Sequence, residues 1–334
     1  MKLSASLYSS KQSSLIDAAK ELEPYMVDYW HIDSREDFSV FADIDSLKKV
    51  SETPVDLHII TKNPADFSPE LGRDNIRRVA FQIEEIEGQF DFPKLENKEL
   101  GLAIMVGHPK LEETIAQYEN QVDFVLLMMT TPGVSGGRFD KNHFAIISHL
   151  VHKFPNIQWC VDGGVNHEIS YILRLIGVQS AVVGSYLLNH ENMAQAILKI
   201  RSNHVRSEYH VVDFCIALEN LPIVTEKTRV VDLLTIIQKH KLGIAFYVNE
   251  NGALEGVISN ADIRRVLIEG KFSYDMTIQE FVNRNPKCIL ESDSTSDMLE
   301  YIQKINFPIL VLPVVDSNRL LKGAVSFHKL LRED

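Results

Sequence analysis

The chain has 334 residues, enough for two ordinary domains, and its 45% apolar and 24% charged content supports a sizeable core and argues against wholesale disorder. Acidic residues number 46 against 34 basic ones, a formal charge of −12, which argues against a nucleic-acid binder but leaves room for small phosphorylated ligands held by a few backbone N–H groups. No run of about 18 uncharged apolar residues occurs, so no membrane span is expected. Residues 1–6 lack the long apolar stretch of a secretory signal, so a cytoplasmic location is expected.

From the N-terminus, β-like runs are expected at 3–7, 29–33, 55–60, 77–82, 100–105, 123–129, 157–162 and 180–183. Helical spacing marks 14–22, where Leu15, Ala18, Ala19 and Leu22 share a face, and also 109–118, 142–154, 167–176 and 191–200. Helices between the second and fifth runs are poorly marked. Eight βα units in about 200 residues predict an α/β fold, a closed (β/α)8 TIM barrel, over residues 1–202. A doubly wound open sheet is the alternative, weakened because no G-x-G-x-x-G follows the first strand. The three cysteines, Cys160, Cys215 and Cys288, have neither zinc-site nor disulfide-framework spacing.

Residues 203–214 begin polar and read as a linker. Beyond them a helix–strand–turn–strand–helix unit repeats with a period of roughly 70–75 residues. Copy one takes a helix at 226–240, strands at 244–248 and 253–258 joined by Asn249-Glu250-Asn251-Gly252, and a helix at 262–268. Copy two takes 294–305, 310–315, the turn Asp316-Ser317-Asn318-Arg319, 320–325 and a last helix at 328–331. Residues 215–334 are thus expected to form a pseudo-symmetric α+β pair.

A barrel active site lies at the carboxyl ends of the strands. Those positions carry Ser6, His31-Ile32-Asp33, Asp56-Leu57-His58, Gln82, Met128, Asp162-Gly163-Gly164 and Gly184-Ser185. Side chains at i and i+2 share a face of a strand, so His31 aligns with Asp33 and Asp56 with His58. His31, Asp33, His58 and Asp162 together suit a divalent Zn, Fe, Mn or Co ion; taken singly, each also reads as a hydrogen-bonded polar residue of the mouth. The glycine turns after strands seven and eight fit a phosphate, although tight turns need glycine anyway. Pro132-Gly133-Val134-Ser135-Gly136-Gly137 reads as a loop able to close over a ligand.

In order and separation, Ser6, His31-x-Asp33, Asp56-Leu57-His58, Met128 with Pro132-Gly133, Val161-Asp162-Gly163-Gly164-Val165 and Val183-Gly184-Ser185 resemble ribulose-phosphate 3-epimerases over about residues 3–188. The resemblance implies an isomerase that inverts C3 of a ketose 5-phosphate. It makes His31, Asp33, His58 and Asp162 ligands of one divalent metal, and Asp33 and Asp162 the acid/base pair on opposite faces of the sugar. It places Ser6, Met128, Gly133, Gly136, Gly163, Gly164, Gly184 and Ser185 against the substrate. The chain departs from the family after Asp33, where Ser34-Arg35-Glu36-Asp37-Phe38-Ser39-Val40-Phe41 replaces the usual Val-Met-Asp-Gly-His-Phe-Val-Pro-Asn. Ile60 stands for a methionine, Gln82 for a histidine, and Val134-Ser135 for Phe-Gly in the loop. These changes point to an altered sugar phosphate.

The repeat resembles a pair of CBS modules, carried by Gly243-Ile244-Ala245-Phe246-Tyr247-Val248, Gly256-Val257-Ile258-Ser259-Asn260-Ala261-Asp262 and Gly323-Ala324-Val325-Ser326. The resemblance implies a regulatory, dimerising tail that binds an adenine nucleotide through Ser259 and Asp262; copy two has Lys329 at the Asp position. The same Ser-x-x-Asp pattern also reads as a helix cap. The phrase Asn260-Ala261-Asp262-Ile263-Arg264-Arg265 is similar to modules fused to enzymes of surface-polysaccharide and nucleotide-sugar synthesis. Three readings stay open: a metal-dependent 3-epimerase with a nucleotide-sensing tail and a homo-oligomeric assembly; an inactive sugar-phosphate-binding barrel acting as a scaffold; and a decarboxylation or aldol cleavage on the same barrel. The last is disfavoured because no lysine stands among the strand-end positions.

Overall fold

The computed structural model describes residues 1–10, 14–88, 90–307 and 309–330. One compact unit comprises residues 1–143 and 153–205, and a second comprises 144–152 together with the chain from Arg206. The first part of the chain runs β1 (Lys2–Ser6), α1 (Leu15–Leu22), β2 (Tyr29–Arg35), α2 (Val40–Leu47), β3 (Val55–Ile60), β4 (Ile76–Gln82), β5 (Glu99–Met105), α3 (Leu111–Tyr118), β6 (Phe124–Met128), α4 (His143–Lys153), β7 (Gln158–Asp162), α5 (His167–Ile176), β8 (Ser180–Val183), α6 (Ser185–Leu188) and α7 (Met193–Arg201). β1 to β8 pair in sequence order, all parallel, and β8 closes on β1. This is the expected eight-stranded barrel.

The local causes are plain in the sequence. β3, β6 and β8 are buried at every residue, as strands covered on both faces must be, and are built largely of Val, Ile, Leu and Phe. Ser14, Asn166 and Asn192 cap α1, α5 and α7 by accepting backbone N–H groups of the first turn. Gly177, at φ +106°, ends α5 in the left-handed conformation that glycine adopts without a Cβ penalty.

The ring of helices departs from the ideal in the quarter where the sequence marks it poorly. α2 follows β2, but β3 is followed by a 3-10 segment, Pro64–Glu70, and β4 by the short turn Ile83–Glu85. Pro64 and Pro69 in the first stretch, and Gly88 and Pro93 after the second, interrupt the i→i−4 hydrogen-bond ladder of an α-helix.

The strand register decides what fills the barrel. Ala80, Ala103, Phe124, Leu126, Met128, Cys160 and Val182 form one buried apolar cluster. On neighbouring strands, His31 is in register with Asp56, Asp33 with His58, and Asp56 with Arg78. A register shift between Val55 and Asp56 brings Arg78, not Arg77, beside Asp56.

The second part of the chain continues with β9 (Ile216–Ala217), β10 (Ile223–Val224), α8 (Val230–His240), β11 (Ile244–Val248), β12 (Leu254–Ser259), α9 (Asn260–Ile268), β13 (Ile289–Leu290), α10 (Thr295–Gln303), β14 (Val311–Val315) and β15 (Leu321–Ser326). One sheet has the order β10-β11-β12 and the other β13-β14-β15-β9. The copies exchange edges: β9, which precedes copy one, pairs with β15 of copy two, and Asn283, which precedes copy two, bridges Val257 of β12. The exchange explains the glycine in each Gly-x-x-Ser phrase. A Cβ on Gly256 would fall 2.3 Å from Val282, and one on Gly323 would fall 2.4 Å from Cys215.

The two hairpin turns are built alike, with Asn249 and Asp316 each accepting two backbone N–H groups from their own turn. Of the stretch expected as a linker, Ser207 and Tyr209 hydrogen-bond to Ser296 and Thr295, and His210 bridges Ser294. The helix expected at 328–331 is instead a turn over residues 328–330; residues 331–334 lie outside the described ones. Phe327 lends its N–H to Leu310, and Leu330 donates to Phe327 O, an i→i−3 bond of a turn.

Candidate functional site

Register places four chemically active side chains at the carboxyl ends of β2, β3 and β7. His31 Nε2 lies 3.4 Å from Asp33 Oδ1 and 3.8 Å from Asp162 Oδ2, and His58 Nδ1 lies 2.9 Å from Asp33 Oδ1. One ligand atom each of His31, His58 and Asp162 falls within 4.8 Å of the others. Both imidazoles are fully buried, whereas the Asp33 and Asp162 side chains keep 22% and 19% exposure, enough for a small ligand to reach them.

Partners behind the rings set their orientation. His31 Nδ1 faces Asp56 Oδ2 at 3.3 Å, and a carboxylate only accepts, so Nδ1 carries the proton. Gln82 donates its Nε2–H to Glu84 at 2.5 Å, which turns its Oε1 toward His58 Nε2 at 2.8 Å; that nitrogen then carries the proton of His58. In these neutral tautomers both rings aim lone pairs inward at the Asp33 carboxylate. His31 Nε2 makes no hydrogen bond although it is wholly buried. Acceptors facing acceptors at these distances attract a cation. Two imidazole nitrogens with carboxylate oxygens are a donor set that suits Zn, Fe, Mn or Co, so His31, His58, Asp33 and Asp162 fit a divalent ion.

Without a metal, the same carboxylates draw a proton to the place a cation would take. Burial works against a charged His31, but Asp33 and Asp56 outweigh it and raise its proton affinity well above the ordinary value. Burial likewise works to raise the Asp33 carboxyl, and His31 and His58 overcome it, holding the group far below the usual range. Asp162 has no hydrogen bond of that kind, and burial pushes it up to about 6. For Asp56 burial is again the largest influence, offset by Arg78, His31 and Ser4, and the net shift is downward.

Above these groups is a cavity of about 40 Å³. Ser6, Asp33, Met128 and Asp162 line it together with Gly133, Gly136, Gly163, Gly184 and Ser185. Gly164 does not line it; a Cβ there would fall 2.5 Å from the Phe139 backbone nitrogen, so this glycine, at φ +68°, serves the packing of the loop after β6. Gly184 admits Ser9, whose Oγ would lie 2.1 Å from an added Cβ. At this size the cavity has room for an ion or a water.

The sequence reading passes over Asp56, Arg78, Ser9 and Thr130 as site residues. Asp56 is aligned with His58 by period two but given no role there, whereas Ser9 and Thr130, which also line the cavity, lie in segments without period. Ser259 and Asp262 sit at the start of α9 and hydrogen-bond to each other: the Ser259 hydroxyl donates to Asp262 Oδ2 at 2.6 Å, and the Asp262 N–H donates back at 3.2 Å. This is the capping arrangement, with a further contact from Arg265. Beside it an open cleft of about 970 Å³ is lined by residues of α8, with Lys239, Lys241, Gly243 and Asn260. Cys160, Cys215 and Cys288 are free thiols. Among the described residues no helix is long and apolar enough to cross a membrane.

Comparison with known proteins agrees with these two architectures. Residues 211–269 and 278–334 match the CBS domain. Over 214 residues the chain is 24% identical to the cytoplasmic isoform of ribulose-phosphate 3-epimerase from Oryza sativa subsp. japonica, covering 60% of this chain and 93% of that protein. It is 25% identical over 214 residues to the ribulose-phosphate 3-epimerase of Methanocaldococcus jannaschii, covering 60% and 90%. An uncharacterized protein of Helicobacter pylori strain J99 is 34% identical over 113 residues, which are 34% of this chain; the match spans only 33% of that relative's own length. Among solved structures, CBSX2 in complex with AMP is similar at 25% identity and a TM-score of 0.32, covering 37% of this chain and 94% of that one. Residues 2–188 match the ribulose-phosphate 3 epimerase family, more than half of the chain, and the chain belongs to that family.

Proposed function

We propose that the barrel mouth is the site of a metal-dependent ketose-phosphate 3-epimerase, acting on a ketose 5-phosphate or a close relative of it. The observation that carries the reading is the convergence of His31 Nε2 and His58 Nδ1 on the Asp33 carboxylate, with Asp162 Oδ2 3.8 Å from His31 Nε2. His31, His58, Asp33 and Asp162 hold one divalent ion. When bound, the ion supplies positive charge beside the oxygens on which an enediolate collects its negative charge.

The chain's own residues do the rest. Inverting a carbon that bears hydrogen needs two proton carriers on opposite faces. One of Asp33 and Asp162 takes the C3 proton, the C3–H electron pair moves toward the C2 carbonyl, and the other returns a proton to C3 from the opposite face. Ser6 orients the sugar, and Met128, paired in register with Asp162, forms the apolar wall beside it. Backbone N–H groups of Gly163, Gly184 and Ser185 hold the phosphate. The loop carrying Gly133 and Gly136 closes over the substrate and excludes water. In the second unit, the cleft beside α9 binds an adenine nucleotide that tunes the epimerase, and the assembly is a cytoplasmic homo-oligomer.

The test is proton exchange. Incubated with divalent metal in D2O, the protein is expected to place deuterium at C3 of one or more ketose phosphates. Absence of exchange into any member of a panel of pentulose and hexulose phosphates, by protein shown to contain metal, overturns the reading and leaves the inactive scaffold.

A further inference from the structure

A guanidinium inside a parallel barrel is costly unless every face of it is matched, yet Arg78 is 2% exposed there. Its Cζ lies 3.8 Å from the centroid of the Phe124 ring and 5.1 Å from that of Tyr29. Nη1 donates to Ser180 Oγ at 3.3 Å, Nε lies 3.4 Å from Glu99, and Nη1 lies 3.8 Å from Asp56 Oδ2. Gly101 is the condition for this arrangement, because a Cβ there would fall 2.3 Å from the Phe124 ring on which Arg78 rests. Asp56 is 1% exposed and also accepts the Ser4 hydroxyl at 2.9 Å, so the oxygen that faces Arg78 is the one that faces His31 Nδ1.

We propose that Arg78 is a positioning residue of the metal centre: acting through Asp56, it fixes the tilt and the tautomer of His31 so that Nε2 faces Asp33 and Asp162. The proposal rests on the metal-centre reading above. Its logic is geometric. The Asp56 carboxylate has three neighbours that hold it, Ser4, His31 and Arg78, and Arg78 alone carries a permanent charge. Remove it and Asp56 is a buried anion tethered by a hydroxyl and by the ring it is meant to hold. The ring is then free to tilt or to present Nε2–H inward, where it cannot bind a cation. Partners behind a metal-binding imidazole are commonly worth 10–100-fold in metal affinity. A plain structural role for Arg78, as a plug in the barrel, lowers stability and leaves the affinity of the folded chain unchanged.

The experiment is zinc affinity of the full chain, stripped by chelation and titrated against a chromophoric chelator, with a thermal melt of each variant alongside. Asp56→Asn is nearly isosteric, and its amide can turn an N–H toward His31 Nδ1 and reverse the ring. It is expected to bind zinc about 10–100-fold more weakly. Arg78→Met is expected to lose a similar factor, and the double variant to lose little more than either single one, because both act through one ring. Folded Arg78→Met with wild-type affinity overturns the proposal, as does full additivity in the double variant. Should Arg78→Met fail to fold, Arg78→Lys and Asp56→Asn decide: affinity within twofold of wild type in both overturns it. If the wild-type chain itself binds no zinc, manganese, iron or cobalt, the metal-centre reading falls, an outcome distinct from failure of the relay.

Discussion

Two halves of one barrel interior are filled in opposite ways. From β1 to β4 the inward side chains include Ser4, His31, Asp33, Asp56, His58, Arg78 and Gln82, linked by hydrogen bonds and charge. From β5 to β8 they include Ala103, Phe124, Leu126, Met128, Cys160 and Val182, which touch through apolar contact. The backbone is the same parallel ladder in both halves, so the difference lies in side chains alone. The apolar half supplies burial that stabilises the barrel by about 1.5–3 kcal/mol for each large side chain. The polar half spends such burial on a charged network whose members must all be satisfied, which gives little net stability but fixes positions. Asp162 stands at the seam: it belongs by sequence to the apolar half and by contact to the polar one.

Substitutions can break this division, and the largest effect is expected at the seam. Asp162→Asn is expected to lower C3 proton exchange about 10²–10⁴-fold with little change in the melting temperature, since the amide keeps the volume of the acid. Exchange at the wild-type rate would remove Asp162 from proton transfer. In the apolar half the reverse pattern is expected. Leu126→Ala should cost about 2–5 kcal/mol of stability in denaturant unfolding while zinc affinity stays unchanged. A large loss of affinity in that variant would mean that the two halves are coupled and do not act separately. Gly101→Ala drives a methyl into the Phe124 ring and is expected to cost about 1–3 kcal/mol. Because Arg78 rests on that ring, a measurable loss of metal affinity is expected with it. Ser4→Ala removes one donor to Asp56 and should cost about 1 kcal/mol, the smallest effect, with exchange nearly intact.

How much of this was readable from the residues follows the same division. The eight strands stand out because fully buried parallel strands are short Val, Ile and Leu runs, and the observed spans agree with those runs to within two residues. The His-x-Asp and Asp-x-His pairs are legible because period two puts their members on one face. The Arg77-Arg78 pair is not: which of two adjacent arginines points inward depends on the register shift beside Val55, a property of the pairing and not of either strand alone. The segments after β3 and β4 were obscure because they carry prolines, glycines and short 3-10 turns in place of regular periodicity, and α2 because its eight residues are too few for a clear period. At Ser259 and Asp262 one Ser-x-x-Asp pattern served two readings, and contact geometry puts the side chains on each other as a cap.

The central claim is a single divalent ion held between two imidazoles and two carboxylates, and metal stoichiometry tests it most directly. After loading with zinc, manganese, iron or cobalt and extensive dialysis, elemental analysis is predicted to find one ion per chain in the wild type and none in a His31→Ala, His58→Ala double variant that still folds. Wild-type protein that retains no ion, or a double variant that retains as much as the wild type, would contradict the account.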